Sequence, residues 1–143
     1  MCRAVYRSGF PRCPKDGGIL TPFEVDPLEG STFVDRYQIE AFVGEGAMGR
    51  VYRARHSRMS GRIFAVKVMF GDLAADHKMR SRFAHEAEAS SRLNHPNLVS
   101  VVDFGETPDG LLYLVMDFIE GKNLADMLEG GRGLPEARVV QLL

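Results

Sequence analysis

The sequence predicts an α+β fold in which a five-stranded antiparallel sheet carries one packed helix. Two observations lead there. From Tyr37 onward, apolar residues recur with period two or run continuously in strand-sized pieces, and one longer segment of helical period interrupts them between residues 76 and 93. The resulting order, β-β-β-α-β-β, contains no alternating βαβ unit and so argues against a parallel sheet. Size agrees, since 143 residues at 45% hydrophobic and 26% charged make about one globular domain.

Residues 1–36 read as a flexible extension. Arg3, Arg7, Arg12 and Lys15 come without an acid, then Asp16, Glu24, Asp26, Glu29 and Asp35 come without a base, with Gly17, Gly18, Pro22, Pro27 and Gly30 interspersed. Cys13-Pro14-Lys15-Asp16-Gly17 has the form of one zinc-ribbon knuckle with Asp16 where a second cysteine would stand, and Cys2 opens a first knuckle that lacks its partner. Two cysteines fall short of a disulfide framework or a four-ligand zinc site, so the extension is read as degenerate, with no metal expected.

The packed part is expected from residue 37 to 143. Tyr37 to Val43 and Val51 to His56 form the first two strands, joined by a glycine-rich loop, and Ile63 to Phe70 forms the third after the Ser60-Gly61 turn. Asp76 to Leu93 is the helix, stopped by Asn94-His95-Pro96. Leu98 to Val102 and Leu111 to Phe118 are the last two strands. Thr107-Pro108-Asp109-Gly110 joins them as a hairpin turn: Pro presets φ, Asp bonds back to the backbone and Gly accepts positive φ. After Glu120-Gly121 the pattern turns helical, with Asn123 as a cap and a further helix opening at Leu134-Pro135-Glu136.

Charge excludes one class of partner. Eighteen basic against 19 acidic residues leave no basic excess for nucleic acid. The longest apolar run, Leu111 to Met116, is far short of the ~20 residues of a spanning helix, and Met1 to Arg7 lack a signal-peptide core. A cytoplasmic chain without a membrane segment is expected.

Three features point to chemistry. Gly44-Glu45-Gly46-Ala47-Met48-Gly49-Arg50-Val51 fits G-x-G-x-x-G-x-V. A helix would follow such a loop in a dinucleotide-binding domain; here strand-like Val51-Tyr52-Arg53-Ala54-Arg55 follows. A strand-loop-strand flap instead folds over a phosphate chain with backbone N–H groups close and no Cβ in the way, while a plain hairpin with turn glycines is the blander alternative. Lys67 lies in Ile63-Phe64-Ala65-Val66-Lys67-Val68-Met69-Phe70, apolar on both faces, so its ammonium needs an anion or a route to water. On a helical wheel, Glu86 shares a sector with Met79, Phe83, Ala87, Ser90 and Leu93, and Glu88 points away. Glu86 is therefore the expected ion-pair partner of Lys67, and the rim of the stripe, facing solvent, is its other reading.

These features together resemble the N-terminal lobe of bacterial Hanks-type serine/threonine protein kinases. Besides the glycine loop, Ala65-Val66-Lys67 and the helix glutamate, the likeness runs through Arg82-Phe83-Ala84-His85-Glu86-Ala87, Leu93-Asn94-His95-Pro96-Asn97-Leu98-Val99 and Tyr113-Leu114-Val115-Met116-Asp117-Phe118-Ile119-Glu120-Gly121. The resemblance implies a kinase-like N-lobe over 37–119, with its single helix of the αC type, and the first C-lobe helices over 120–143. It implies ATP as ligand, held by Gly44, Gly46 and Gly49. Lys67 would sit on the α- and β-phosphates and Glu86 on Lys67, as the catalytic pair. Val43, Val51 and Ala65 would sandwich the adenine, with Met116 as gatekeeper and the backbone of Asp117 and Ile119 at the adenine edge; plain core packing remains true of the apolar ones as well.

The resemblance also implies what is missing. No His-Arg-Asp occurs, so the catalytic base is absent, and so are the Mg²⁺ ligands of the whole family domain. Asp103-Phe104-Gly105 spells the magnesium motif but stands before the place of the catalytic loop, and reads as a strand-end turn. Arg50, Arg53, Arg55, Arg58 and Arg62 read as a solvated hairpin surface. Three accounts follow: part of an ATP-dependent kinase acting on a protein hydroxyl, inactive by itself; a pseudokinase-like non-catalytic nucleotide-binding or docking module; or an unrelated α+β domain.

Overall fold

The computed structural model describes residues 5–6, 11–20, 26–59 and 61–128. Among them, six strands form one sheet: β1 (Thr32–Phe33), β2 (Tyr37–Glu45), β3 (Gly49–His56), β4 (Ile63–Met69), β5 (Val101–Glu106) and β6 (Leu112–Asp117). All neighbours are antiparallel, in the order β1-β2-β3-β4-β6-β5. Helices α1 (Gly71–Ala75) and α2 (His77–Ser91) lie between β4 and β5, and α3 (Leu124–Leu128) follows β6. No helix among the described residues is long and apolar enough to cross a membrane. The helix read from Leu134 onward lies outside the described residues.

The α+β architecture is as the sequence predicts, with one strand and one short helix more: α1, through buried Ala74, packs beside α2 where the sequence predicts a single helix. The added strand, β1, falls within residues 1–36, the segment expected to be a flexible extension. Leu28 and Phe33 are 1% and 5% exposed and join Ile39, Tyr52, Phe64, Val66, Tyr113 and Val115 in the main core. Two apolar residues among turn formers and charges carry little periodic signal, yet both are buried in the core cluster against the sheet. Packing also holds Val34 and Asp35 at φ 43° and 56° in the turn from β1 to β2, a conformation that a β-branched residue rarely adopts.

The expected knuckle exists as a local turn. Cys13 N–H donates to Gly18 O at 2.8 Å and Gly17 N–H to Cys13 O at 2.9 Å, with Gly17 at φ 71°. Cys13 is buried, and Cys2 lies outside the described residues. Lys15 Nζ donates to the carbonyls of Asp109 and Gly110 at 2.8 and 3.1 Å, tying the knuckle to the β5–β6 turn. That turn closes as its residues demand: Gly110 stands at φ 78°, and its N–H donates to Thr107 O at 2.8 Å.

β5 begins later than its hydrophobicity indicates. Leu98 and Val99 are exposed, and Leu98 N–H is spent on a turn to His95 O at 3.0 Å, so ladder pairing starts at Val101. Asp103-Phe104-Gly105 therefore lies inside β5 and not in a turn after it. α2 matches its sequence signals closely. Asp76 caps it by accepting from Lys78 N–H and Met79 N–H, and Asn123 likewise accepts from Asp126 N–H at α3.

Candidate functional site

Directly paired residues of an antiparallel sheet project to the same side, so the register sorts the sheet into two faces. Tyr52, Val66, Val115 and Asp103 form one row across β3, β4, β6 and β5, on the face that the main core covers. The other face carries Gly44, Val51, Lys67 and Leu114 in one row, and Arg53, Ala65 and Met116 in the next. At one end of this second face, Met69 and Leu112 are buried with Ala74 and with Phe83 of α2. Further along, Val51, Lys67 and Met116 are only half-buried and Ala65 is buried, so an apolar floor with one lysine lies open beside the helix.

The glycines of the β2–β3 loop differ in what they do. A Cβ on Gly49 would collide with the carbonyl oxygen of Val68, so glycine is required there for the loop to return onto β4. Gly44 and Gly46 have open space in that direction. No packing contact of the described residues requires a bare backbone at either. Gly46 N–H donates to Gly49 O at 2.9 Å and Phe70 N–H to Met48 O at 3.0 Å, which close the loop and pin it to the end of β4. Val43, at the irregularity between Phe42 and Gly44, is 51% exposed.

The expected ion pair between Lys67 and Glu86 is not made. Glu86 is 60% exposed and lies 3.9 Å from Arg82, one turn earlier on the same helix. Lys67 has no ion-pair or hydrogen-bond partner among the described residues. The reason is the width of the buried stripe on α2. Only Phe83 and Ala87 are buried, and at about 100° per residue Glu86 stands roughly 80° from their midpoint. It is thus on the rim, while Glu88, on the far side, pairs with Arg92.

After Met116, Asp117 N–H donates to Ser100 O at 3.0 Å and its carboxylate accepts from Arg62 at 3.0 Å. Ile119, past the end of β6, is 67% exposed. Arg53 pairs with Glu40 and stands 5.8 Å over the ring of Phe118. Arg50, Arg53, Arg55 and Arg62 of the expected solvated surface all take part in ion pairs.

Asp103 does not serve the Lys67 face. It lies on the opposite side of the sheet, accepting from the Tyr37 hydroxyl at 3.2 Å with Arg36 at 3.5 Å. Burial first, then the Asp103 charge, push the Tyr37 phenol up to about 12. The residues present do not fit a magnesium site: this carboxylate is engaged away from the lysine, and no three of His, Cys, Asp or Glu converge among the described residues.

One functional candidate has no sequence signal. Asp26 is buried in the segment before β1 and accepts from Leu28 N–H at 3.0 Å, Arg50 at 2.8 Å and the Tyr52 hydroxyl at 3.0 Å. Burial and the Asp26 charge push the Tyr52 phenol well up from its ordinary value. An isolated acid among turn residues looks solvated until the chain folds back on the sheet.

The protein kinase domain family model matches residues 37–143. The serine/threonine-protein kinase pkn3 of Myxococcus xanthus is 40% identical over 120 residues, 84% of this chain and 22% of that protein. PknF of Mycobacterium tuberculosis is 41% identical over 117 residues, covering 80% and 24%. Among solved structures, the Mycobacterium tuberculosis PknI kinase domain is similar at 34% identity and a TM-score of 0.64, covering 79% of this chain and 45% of that one. The chain thus spans about a quarter of these curated relatives and under half of the solved kinase domain.

Proposed function

This chain belongs to the protein kinase domain family, and on that premise we propose that it forms the ATP-clamping part of a bacterial serine/threonine kinase. Bound ATP would supply the γ-phosphoryl group that such enzymes move to a protein hydroxyl. Val43, Val51, Ala65 and Met116 offer the adenine its apolar slot, with backbone of Asp117 and Ile119 at its edge. Gly44, Gly46 and Gly49 bring loop amides over the phosphates, and Lys67 sets its ammonium against them. Glu86, engaged with Arg82 here, is the carboxylate assigned to Lys67 in the nucleotide-bound form.

The observation that carries this is the row Gly44, Val51, Lys67 on the open face. It aligns an unobstructed stretch of backbone, an apolar contact and a cation with no partner among the described residues, which is what a nucleotide's phosphate and base require together. The chain contains no His-Arg-Asp, and Asp103 faces away from Lys67. We therefore assign it nucleotide binding without phosphotransfer of its own. Because the Lys67–Glu86 pair is unmade, a non-catalytic nucleotide-binding module is the second reading.

Titration with a fluorescent ATP analogue tests the proposal. Saturable binding, weakened at least about tenfold by Lys67→Ala, is expected; no binding, or equal binding by the variant, overturns it. Radiolabelled phosphotransfer by the whole gene product, abolished by Lys67→Ala, selects the kinase reading over the module. Transfer by the 143-residue chain alone would overturn the division of labour stated here.

A further inference from the structure

We propose that Asp26 is a positioning residue that sets the glycine loop from outside the family-matched region, acting through Arg50. This rests on the nucleotide reading only for its consequence, since the mechanical link is independent of any ligand. Asp26 precedes the first matched residue, Tyr37. Asp26, 9% exposed, is one of few buried polar residues among those described, and its carboxylate is satisfied by three donors: Leu28 N–H at 3.0 Å, Arg50 Nη1 at 2.8 Å and Tyr52 Oη at 3.0 Å. The Leu28 contact holds the carboxylate against its own segment, and Leu28 is itself locked in the core.

Arg50 is the first residue after Gly49, at the base of the loop. Its Nε donates to Glu45 at 2.7 Å, across the hairpin at the paired position Glu45↔Arg50, and its guanidinium stands 5.3 Å over the ring of Phe42. One side chain therefore bridges both stems of the loop and the segment behind them. The neighbouring Glu29 accepts from Phe42 N–H on β2, a second strut from the same segment. The loop itself has little apolar anchorage, with Val43 exposed, Ala47 exposed and Met48 half-buried. Polar struts decide where it sits. Charge-assisted bonds are the stronger kind, and a buried carboxylate lost from such a network leaves its donors unsatisfied.

The test is hydrogen exchange on the 143-residue chain with Asp26→Asn, which keeps shape and removes the charge. Amides of Gly46 and Phe70, whose bonds to Gly49 O and Met48 O close the loop, should exchange about tenfold faster. Core amides of β4 and β6 should change only as the melting temperature dictates. Affinity for the fluorescent ATP analogue should fall by a similar factor. Glu40→Gln, which removes the Arg53 and Arg55 ion pairs on the same hairpin, should leave loop exchange at the wild-type rate.

Unchanged loop exchange in Asp26→Asn, with only a lower melting temperature, would overturn the inference and leave Asp26 a purely structural acid. If Asp26→Asn does not fold, Arg50→Gln cuts the same link from the loop side and is judged by the same amides. Absence of ATP binding in the wild type would defeat the functional proposal, while the exchange measurement would still decide this one.

Discussion

Gly49 lies flush against Val68, so closely that a Cβ on it would run into the Val68 carbonyl oxygen. The second and third glycines of the loop thus answer to different demands. Gly49→Ala should destabilise the chain by about 1–3 kcal/mol, the usual cost of forcing atoms into a packed site, in this case against backbone that cannot rotate aside. Gly46→Ala meets open space and should leave stability within about 1 kcal/mol, while lowering affinity for the ATP analogue. Urea unfolding and nucleotide titration of both variants check the contrast; equal destabilisation by the two would contradict it.

Lys67 and Glu86 should be uncoupled in the ligand-free chain. Lys67→Met removes a half-buried cation with no partner among the described residues, so its melting temperature should hold or rise slightly, even as nucleotide affinity drops at least about tenfold. Glu86→Gln should shift stability by no more than about 0.5 kcal/mol, as befits an exposed carboxylate. A double-mutant cycle by chemical unfolding reads the coupling; a value well above 1 kcal/mol would mean that the pair forms in solution.

Alkaline unfolding should carry a tyrosine signature. Tyr37 keeps its proton to about 12 when folded, against about 10 for an unfolded tyrosine. Between those values the unfolded chain binds fewer protons, so stability falls as pH rises, by at most about 1.4 kcal/mol per unit for this group. The contribution is fully present below pH 10. Tyr37→Phe should flatten the decline between about pH 10 and 12; an unchanged slope would assign it to other groups.

At the start of α2, Asp76→Ala should cost about 1 kcal/mol. The Asp76 side chain accepts from two first-turn amides, Lys78 N–H at 2.8 Å and Met79 N–H at 3.2 Å, and both lose their acceptor. Asp76→Asn keeps an acceptor oxygen and should recover most of the loss, read as thermal midpoints of the three proteins.

Sequence alone determined the types of the main elements, though not β1 or α1, the hairpin turn at Thr107 to Gly110, the capped start of α2 and the candidacy of Gly44, Gly49, Lys67 and Met116. All but Met116, whose candidacy came from the resemblance to a kinase N-lobe, rest on local chemistry: φ preferences, caps, period, and the cost of a lysine in an apolar strand. Tertiary structure alone decided three other matters. Register put Asp103 on the face away from Lys67, because neighbouring side chains along a strand point to opposite sides and the pairing chooses which. The narrow contact of α2, made through Phe83 and Ala87, left Glu86 on the rim, where a helical wheel by itself drew a broader stripe. And the segment holding Asp26, Leu28 and Phe33 folded back over the sheet, since burying two apolar side chains and satisfying one carboxylate with three donors are gains that exist only when distant strands have already come together.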